Sequence, residues 1–142
     1  MTVRAYYRTE LALSQLETAL RLFAEGKEFA SVITLAGAAD EVFGKFLAAT
    51  GRENSLESLK RSVGEIHMKL YGEATPPKQI ADRANRARNS LKHWDNGDPE
   101  IIKLDLRVEA CDLVYRAIDN YWALETKLSP AMEAFQRAQA GA

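Results

Sequence analysis

The sequence predicts an all-α fold, a single antiparallel bundle of about five helices followed by a short C-terminal helix. Apolar residues recur at helical spacing along nearly the whole chain. Short loops join the predicted helices, and the sequence contains no internal repeat, low-complexity linker or strand-rich block. These observations predict one domain over residues 1–142, with its core in residues 5–127 and a short terminal helix in residues 130–142.

The first two predicted helices span residues 5–25 and 28–50, and each stops before a glycine, Gly26 or Gly51. The apolar stripe of the first helix is Tyr6, Leu13, Leu16, Leu20 and Phe23. The stripe of the second helix is Phe29, Val32 or Ile33, Ala36, Ala39, Phe43 and Phe46 or Leu47. Small side chains at positions 36–39 favour close approach by a neighbouring helix.

The third predicted helix begins after Asn54, a suitable N-cap, with Glu57 placed as in a capping box. Its apolar stripe is Leu56, Leu59, Val63, Ile66 and Leu70. The fourth helix is predicted over residues 76–95, with Thr75 as its cap and Pro76 at the first helical position. Its core stripe on a helical wheel is Ile80, Ala84, Ala87, Leu91 and Trp94, and its opposite stripe is Asp82, Arg86, Asn89 and His93.

The fifth predicted helix spans residues 105–127 and follows a break at residues 96–99. Its apolar stripe is Val108, Cys111, Tyr115, Ile118 and Trp122. A position on this stripe favours a core role for Cys111 over a role as a nucleophile. The residues after Pro130 are predicted to form a short helix that frays.

Composition excludes several classes of site. The 142 residues are 46% hydrophobic and 27% charged, and the formal net charge of -1 gives no global positive field that points to nucleic acid. Cys111 is the only cysteine, so an intramolecular disulfide and a four-cysteine zinc site are excluded, and no metal or other cofactor is predicted. The sequence lacks a signal-peptide apolar core and a bilayer-spanning run, which predicts a cytoplasmic protein without a membrane partner.

The stretch from Arg88 to His93, which reads Arg-Asn-Ser-Leu-Lys-His, carries the clearest chemical pattern. A guanidinium binds phosphate through two parallel hydrogen bonds, and an imidazole can accept or donate a proton near neutral pH. Asn89 lies one turn before His93 and can hydrogen-bond to it. Arg88 lies about 140° from His93 on the wheel, so one helix does not bring them together. Two copies of the helix packed across a two-fold axis would do so.

The same helix concentrates positive charge. It carries Lys78, Arg83, Arg86, Arg88 and Lys92 against the two acids Asp82 and Asp95. Polyanion binding explains such a patch on a nearly neutral protein, and a solvated helix face is the alternative explanation. Arg83, Arg86 and Lys92 are therefore the candidate ligands of RNA or phosphate.

With the Arg-x4-His pattern in an all-helical chain, residues 5–127 resemble a HEPN-superfamily domain (higher eukaryotes and prokaryotes nucleotide-binding). That family has a helical bundle and an Arg-x4-6-His motif, often with a polar residue after the arginine, the position that Asn89 holds here. Glu41 and Lys45 are similar to an acid and lysine pattern of some HEPN toxins, although their spacing also suits a surface ion pair. Active members are metal-independent endoribonucleases that dimerise so that the two motifs meet.

The resemblance implies a metal-independent endoribonuclease with no cofactor, of the kind that acts as a toxin or in defence against phage. It assigns Arg88, His93 and Asn89 to catalysis: His93 as general acid or base, Arg88 as the group that neutralises the phosphate, and Asn89 as the residue that orients His93 or binds phosphate. The implied partners are RNA or a nucleotide, a second copy of the chain through the fourth helix, and a nucleotidyltransferase-like antitoxin if the protein is a toxin. DNA is not expected as a substrate because it lacks the 2'-hydroxyl.

Two other interpretations of the sequence stay open. The first is a non-catalytic HEPN-like module that binds a nucleotide, RNA or a partner protein through the same basic helix. The second is a plain dimeric helical bundle in which the Arg-x4-His spacing is accidental.

Overall fold

The computed structural model describes residues 2–142, which form seven α-helices and no strand. The helices are α1 (Arg8–Ala24), α2 (Phe29–Ala49), α3 (Ser55–Tyr71), α4 (Pro77–Ala84), α5 (Arg86–Lys92), α6 (Leu106–Glu125) and α7 (Pro130–Ala140). The predicted all-α helical bundle is confirmed. Within residues 2–142, none of the helices combines the length and apolar character needed to cross a membrane.

The central helix of the bundle is α2, which packs extensively against both α1 and α6. A short turn joins α1 to α2, and Gly26 allows it because the turn requires a positive φ, here 73°. The contacts of Asp40 with Arg116 and of Arg52 with Ala123 show that α2 and α6 run in the same direction, so this pair departs from the predicted antiparallel arrangement. Three shorter helices, α3 to α5, make the connection between them.

The predicted start of α3 is confirmed, but its predicted core stripe is only partly covered. The side chain of Asn54 accepts a hydrogen bond from the backbone N–H of Glu57 at 2.9 Å, as an N-cap does. The first half of the stripe is partly buried, whereas Ile66 and Leu70 near the C-terminal end are exposed. The start of α3 is bonded to α6, because the backbone N–H of Ser55 donates to the side chain of Asn120 at 2.8 Å.

The prediction of one continuous fourth helix is wrong. Residues 77–92 form two helices, α4 and α5, separated by a turn at Asn85 with φ -102° and ψ 4°. Arg116 of α6 donates one hydrogen bond to the carbonyl of Ala84 at 2.9 Å and another to the side chain of Asn85 at 3.0 Å. A side chain that binds into the carbonyl ladder is a known cause of a helix break.

The end of α5 also comes three residues earlier than predicted, at Lys92. His93 has extended backbone angles, and a turn follows in which the N–H of Asp95 donates to the carboxylate of Asp98 at 2.8 Å. This turn takes the chain away from the core, so Trp94, predicted on the core stripe, is 71% exposed. Ile80 and Ala87 of the same predicted stripe are buried.

The last two helices pack differently from the predicted pattern. The buried residues of α6 are Ala110, Leu113, Val114, Ala117, Ile118, Asn120 and Tyr121. Val108 and Trp122, predicted on the stripe, are about half exposed because the buried face is rotated toward α1 and α2. The helix predicted to fray, α7, instead buries Met132 and Phe135, and the Phe135 ring packs edge-on against Phe23.

Candidate functional site

A buried polar network beneath α5 sets the position of that helix. The carboxylate of Asp40, which is 4% exposed, accepts a hydrogen bond from Arg116 at 2.8 Å and one from the side chain of Asn120 at 2.9 Å. The side-chain oxygen of Asn120 in turn accepts the backbone N–H of Ser55 at 2.8 Å. Since Arg116 also binds the turn at Asn85, this network links α2, α3, α6 and the start of α5.

Asp40 is the electrostatic centre of this network. Burial raises the pKa of its carboxyl above the ordinary value, and the positive charges of Arg116 and Arg88 oppose that rise. A buried carboxylate needs a paired cation and hydrogen bonds to remain charged. Arg116 supplies both, so the ion pair fixes α6 against α2 at the level of the α4–α5 turn.

Arg88 lies flat on α2 and points along its surface. Its side chain is only 16% exposed, and its stem covers Gly37 so closely that a Cβ built there would be 2.7 Å from the Arg88 Cδ. Its guanidinium lies 3.8 Å from a carboxylate oxygen of Glu41 and makes long hydrogen bonds of 3.4 Å to the side chain of Asn89. The orientation of Arg88 is therefore set by its packing on α2.

A group of cationic side chains surrounds Glu41. Lys45 donates to its carboxylate at 2.9 Å, and Lys92 lies 3.8 Å away, the same distance as Arg88. The hydrogen bond from Lys45 is the largest cause that lowers the pKa of Glu41; burial opposes it, and the charges of Arg88, Lys45 and Lys92 lower the pKa further. These side chains line a cavity of about 360 Å³, together with Arg8, Thr34, Ala38 and Val42. We call this the α2–α5 cavity.

His93 lines a different cavity, of about 530 Å³, on the outer flank of α5. Its lining residues are Arg86, Asn89, Ser90, His93, Trp94, Asp95, Asp98, Pro99, Glu100 and Ile102. Arg86, Asn89, Ser90 and His93 converge there because they are spaced three and four residues apart. Arg86 also donates to the carbonyl of Lys103 at 3.5 Å. We call this the His93 cavity.

The structure thus divides the predicted site residues between two flanks of α5. Arg86, Asn89 and His93 share the His93 cavity, whereas Arg88 and Lys92 line the α2–α5 cavity. Arg83 is exposed on α4.

The predicted contact between Asn89 and His93 takes a different form. The backbone N–H of His93 donates to the backbone carbonyl of Asn89 at 2.9 Å, and the side-chain oxygen of Asn89 accepts from Arg88. Asn89 therefore lies between the two flanks of the helix and contacts the arginine of one cavity while lining the other.

Several residues of these sites had no clear signal in the sequence. Asp40 is the exception, because a carboxylate on an otherwise apolar helix stripe indicates a buried partner. Its partner Arg116, and Arg8 of the α2–α5 cavity, come from distant parts of the chain. Ser90 lies within the motif, but nothing in its spacing alone indicates a site residue.

Two other residues considered from the sequence lie away from this site. Cys111 is partly buried and its thiol contacts the side chain of Gln139 at 3.7 Å. His67 on α3 binds the carbonyl of Glu73 at 2.7 Å and packs against Tyr71. Among residues 2–142, no group of three or more His, Cys, Asp or Glu side chains is arranged to hold a metal ion.

Comparison with protein-family models, curated proteins and solved structures finds no match for the chain.

Proposed function

We propose that this protein is a metal-independent endoribonuclease that cleaves RNA at the His93 cavity, as its resemblance to HEPN domains implies. The observation that supports the proposal is the convergence of Arg86, Asn89, Ser90 and His93 on one open cavity. An imidazole, a guanidinium, an amide and a hydroxyl supply a proton carrier and phosphate ligands without a metal, although the carboxylates of Asp95, Asp98 and Glu100 line the same cavity and oppose an anion there. The exposed position of His93 after the end of α5 leaves its ring accessible to a substrate.

The chemistry uses the 2'-hydroxyl of the RNA as the nucleophile. His93 accepts the proton of that hydroxyl, the oxygen forms a bond to the adjacent phosphorus, and the bond from phosphorus to the 5'-oxygen breaks. The departing 5'-oxygen takes up a proton from an acid. A guanidinium stabilises the negative charge that builds up on the non-bridging oxygens. The products are a 2',3'-cyclic phosphate and a 5'-hydroxyl.

Two arginines are available for charge stabilisation, and the geometry gives them different positions. Arg86 lines the same cavity as His93, so it can contact the phosphate that reacts. Arg88 is held on the α2 side, so within one protomer we assign it to a neighbouring phosphate, with Lys92 beside it. Arg83 is then a peripheral phosphate contact on α4.

A symmetric dimer across α5 is part of the proposal. The attacking and leaving oxygens lie on opposite sides of the phosphorus in an in-line displacement. One imidazole would not reach both oxygens, and a second copy of His93 would supply the missing acid or base. The same arrangement would bring Arg88 of one copy toward the histidine of the other.

RNA cleavage in EDTA by the purified chain tests the proposal. We expect wild type to cleave members of an RNA panel that includes tRNA, to leave the matched DNA intact, and to give cyclic-phosphate ends. His93→Ala should abolish cleavage. His67→Ala is the matched control, because it removes the other histidine, which is bonded to a carbonyl on α3, and it should cleave like wild type. Cleavage of DNA, inhibition by EDTA or full activity of His93→Ala would contradict the proposal.

The separation of Arg88 from His93 favours a second candidate, a non-catalytic module that binds nucleotide or RNA. Binding needs cations but no proton carrier, and the α2–α5 cavity contains cations without a histidine. If this candidate is correct, no RNA is cleaved, and RNA binding measured by fluorescence anisotropy survives His93→Ala but is lost in Arg88→Ala. Loss of cleavage in His93→Ala with intact RNA binding would instead support the ribonuclease.

A further inference from the structure

We propose that the α2–α5 cavity is a binding site for a phosphate monoester. The cavity is lined by four cationic side chains, Arg8, Lys45, Arg88 and Lys92, and by one carboxylate, Glu41. Four positive charges against one negative charge leave a net charge of +3 around about 360 Å³. An anion bound between them would relieve the repulsion among the cations and would be attracted by all of them.

The position of Arg88 depends on a glycine of α2. Glycine in the middle of a helix lowers stability relative to alanine. Here Gly37 has a specific packing role, since any larger residue would collide with the Arg88 stem. The stem is thereby held flat, and the guanidinium lines the cavity with a 3.8 Å contact to Glu41 and two long hydrogen bonds of 3.4 Å to the side chain of Asn89. A cation held in place before the ligand arrives loses less freedom when it binds.

The other lining residues suit a small phosphorylated ligand. Thr34 offers a hydroxyl group, whereas Ala38 and Val42 form an apolar wall. Small-molecule pockets have volumes of about 300–1,000 Å³, and this cavity is near the lower limit. These features fit a phosphate group with a compact organic part, as in a nucleoside monophosphate or the terminal nucleotide of a strand.

Charge favours a monoester over a diester. A phosphodiester carries one negative charge, whereas a phosphate monoester carries about -1.5 to -2 near neutral pH and has three terminal oxygens. The planar fork of Arg88 can bind two of those oxygens, and the ammonium groups of Lys45 and Lys92 can reach the third. Two sources of such a group are a free nucleotide and a terminal phosphate on RNA. For RNA ends this inference rests on the proposed ribonuclease, and for free nucleotides it rests on the second candidate, the non-catalytic binding module.

Titration calorimetry of the full chain at pH 7.5 and low salt tests the inference. The small probes are methyl phosphate, dimethyl phosphate, adenosine 5'-monophosphate and adenosine. We expect binding of methyl phosphate and of the monophosphate, and little binding of dimethyl phosphate or adenosine. A short RNA with a 5'-phosphate and the same RNA with a 5'-hydroxyl then distinguish an RNA end from a free nucleotide as the source of the ligand.

Three variants test whether the ligand binds in this cavity. Lys45→Ala removes an exposed ammonium and should weaken binding of the monophosphate about tenfold or more. Lys127→Ala is the matched control, because Lys127 is exposed after α6 and does not line the cavity, and it should change affinity less than about twofold. Gly37→Ala keeps every charge but displaces the Arg88 stem, and it should weaken binding by a similar factor to Lys45→Ala.

The outcomes separate this inference from the ribonuclease proposal. Failure of wild type to bind methyl phosphate and the monophosphate, or equal weakening by Lys45→Ala and Lys127→Ala, would overturn the inference whether or not RNA is cleaved. Unchanged affinity in Gly37→Ala would overturn the role given to Arg88. Binding of the monophosphate without any RNA cleavage would support the site and refute the ribonuclease. Preference for the 5'-phosphorylated RNA would identify a strand end as the ligand.

Discussion

Replacement of Arg116 by methionine tests whether the ion pair with Asp40 is what holds α5 in place. Methionine keeps most of the apolar stem of this largely buried side chain and removes the charge. The variant loses three hydrogen bonds, to the Asp40 carboxylate, the Asn85 side chain and the Ala84 carbonyl. It also leaves Asp40 buried with Asn120 as its remaining side-chain donor in the network.

The expected loss is large compared with the stability of a small domain. Removal of one partner of a buried ion pair costs about 3–5 kcal/mol, mainly because the remaining charge is left without compensation. The free energy of unfolding of an ordinary domain is about 5–15 kcal/mol. We therefore expect Arg116→Met to lower the free energy of unfolding by about 3–5 kcal/mol at pH 7, measured by urea denaturation. The second variant, Asp40→Asn in the Arg116→Met background, should recover part of this loss because no unpaired charge is buried.

The pH dependence provides an independent check. A carboxyl group whose pKa is raised by burial favours the folded state in its protonated form. In wild type the contribution of Asp40 is thus fully present below its ordinary pKa of 3.8 and is lost as pH rises through the raised value. Without Arg116 the pKa should rise further, so the stability difference between wild type and Arg116→Met should grow with pH. Below pH 3.8 only the lost hydrogen bonds to the α4–α5 turn should remain.

Three results would refute this reasoning. A loss below about 1 kcal/mol at pH 7 would show that the pair contributes no more than an exposed salt bridge. A difference that does not vary between pH 3 and pH 7 would show that the charge of Asp40 is not what Arg116 compensates. A stability loss accompanied by unchanged phosphate binding and RNA cleavage would show that the network supports the fold without positioning α5.

Two further predictions concern buried groups. Asn120→Ala leaves the Ser55 N–H and a lone pair of Asp40 without a partner, so the free energy of unfolding should fall by about 1–3 kcal/mol in urea titrations. A loss below about 0.5 kcal/mol would show that these hydrogen bonds do not stabilise the fold. Burial, assisted by the negative charge of Asp112, raises the pKa of the Cys111 thiol. Iodoacetamide should therefore modify Cys111 at pH 7 more slowly than it modifies a free cysteine peptide, and the rate should increase with pH; modification faster than the peptide would contradict this prediction.

The parts of the fold that could be predicted have local determinants. The helical spacing of apolar residues predicts α1 and α2 from residues that are close together in the sequence. Glycines with positive φ lie just beyond the ends of both helices. Asn54 caps α3 through a residue three positions away, which the sequence shows directly. The ion pair of Glu41 and Lys45 was likewise one of the two interpretations that their spacing allowed, and it is formed at 2.9 Å.

The break between α4 and α5 could not be predicted because its cause lies elsewhere in the chain. Residues 77–92 contain no proline or glycine after Pro77, so local propensity favours one helix. The break depends on Arg116, which is 31 residues from Asn85 and reaches it only once α6 has packed against α2. Asp40 on an apolar helix stripe indicates a buried cation, but no sequence prediction used it, and the sequence does not show which arginine meets it.

The arrangement of the candidate site follows from where α5 begins and ends. Within one helix, residues five apart always lie on different flanks, so Arg88 and His93 would be separated even in the continuous helix. In the structure Arg88 packs on Gly37 of α2 and the chain leaves the helix at His93, and the two side chains line different cavities. Arg86 thereby becomes the arginine that shares a cavity with the histidine.

Comparison of Arg86→Ala with Arg88→Ala then decides between two arrangements of the site. A greater effect of Arg86→Ala on the cleavage rate indicates a site within one protomer, and a greater effect of Arg88→Ala indicates a site completed by a second copy.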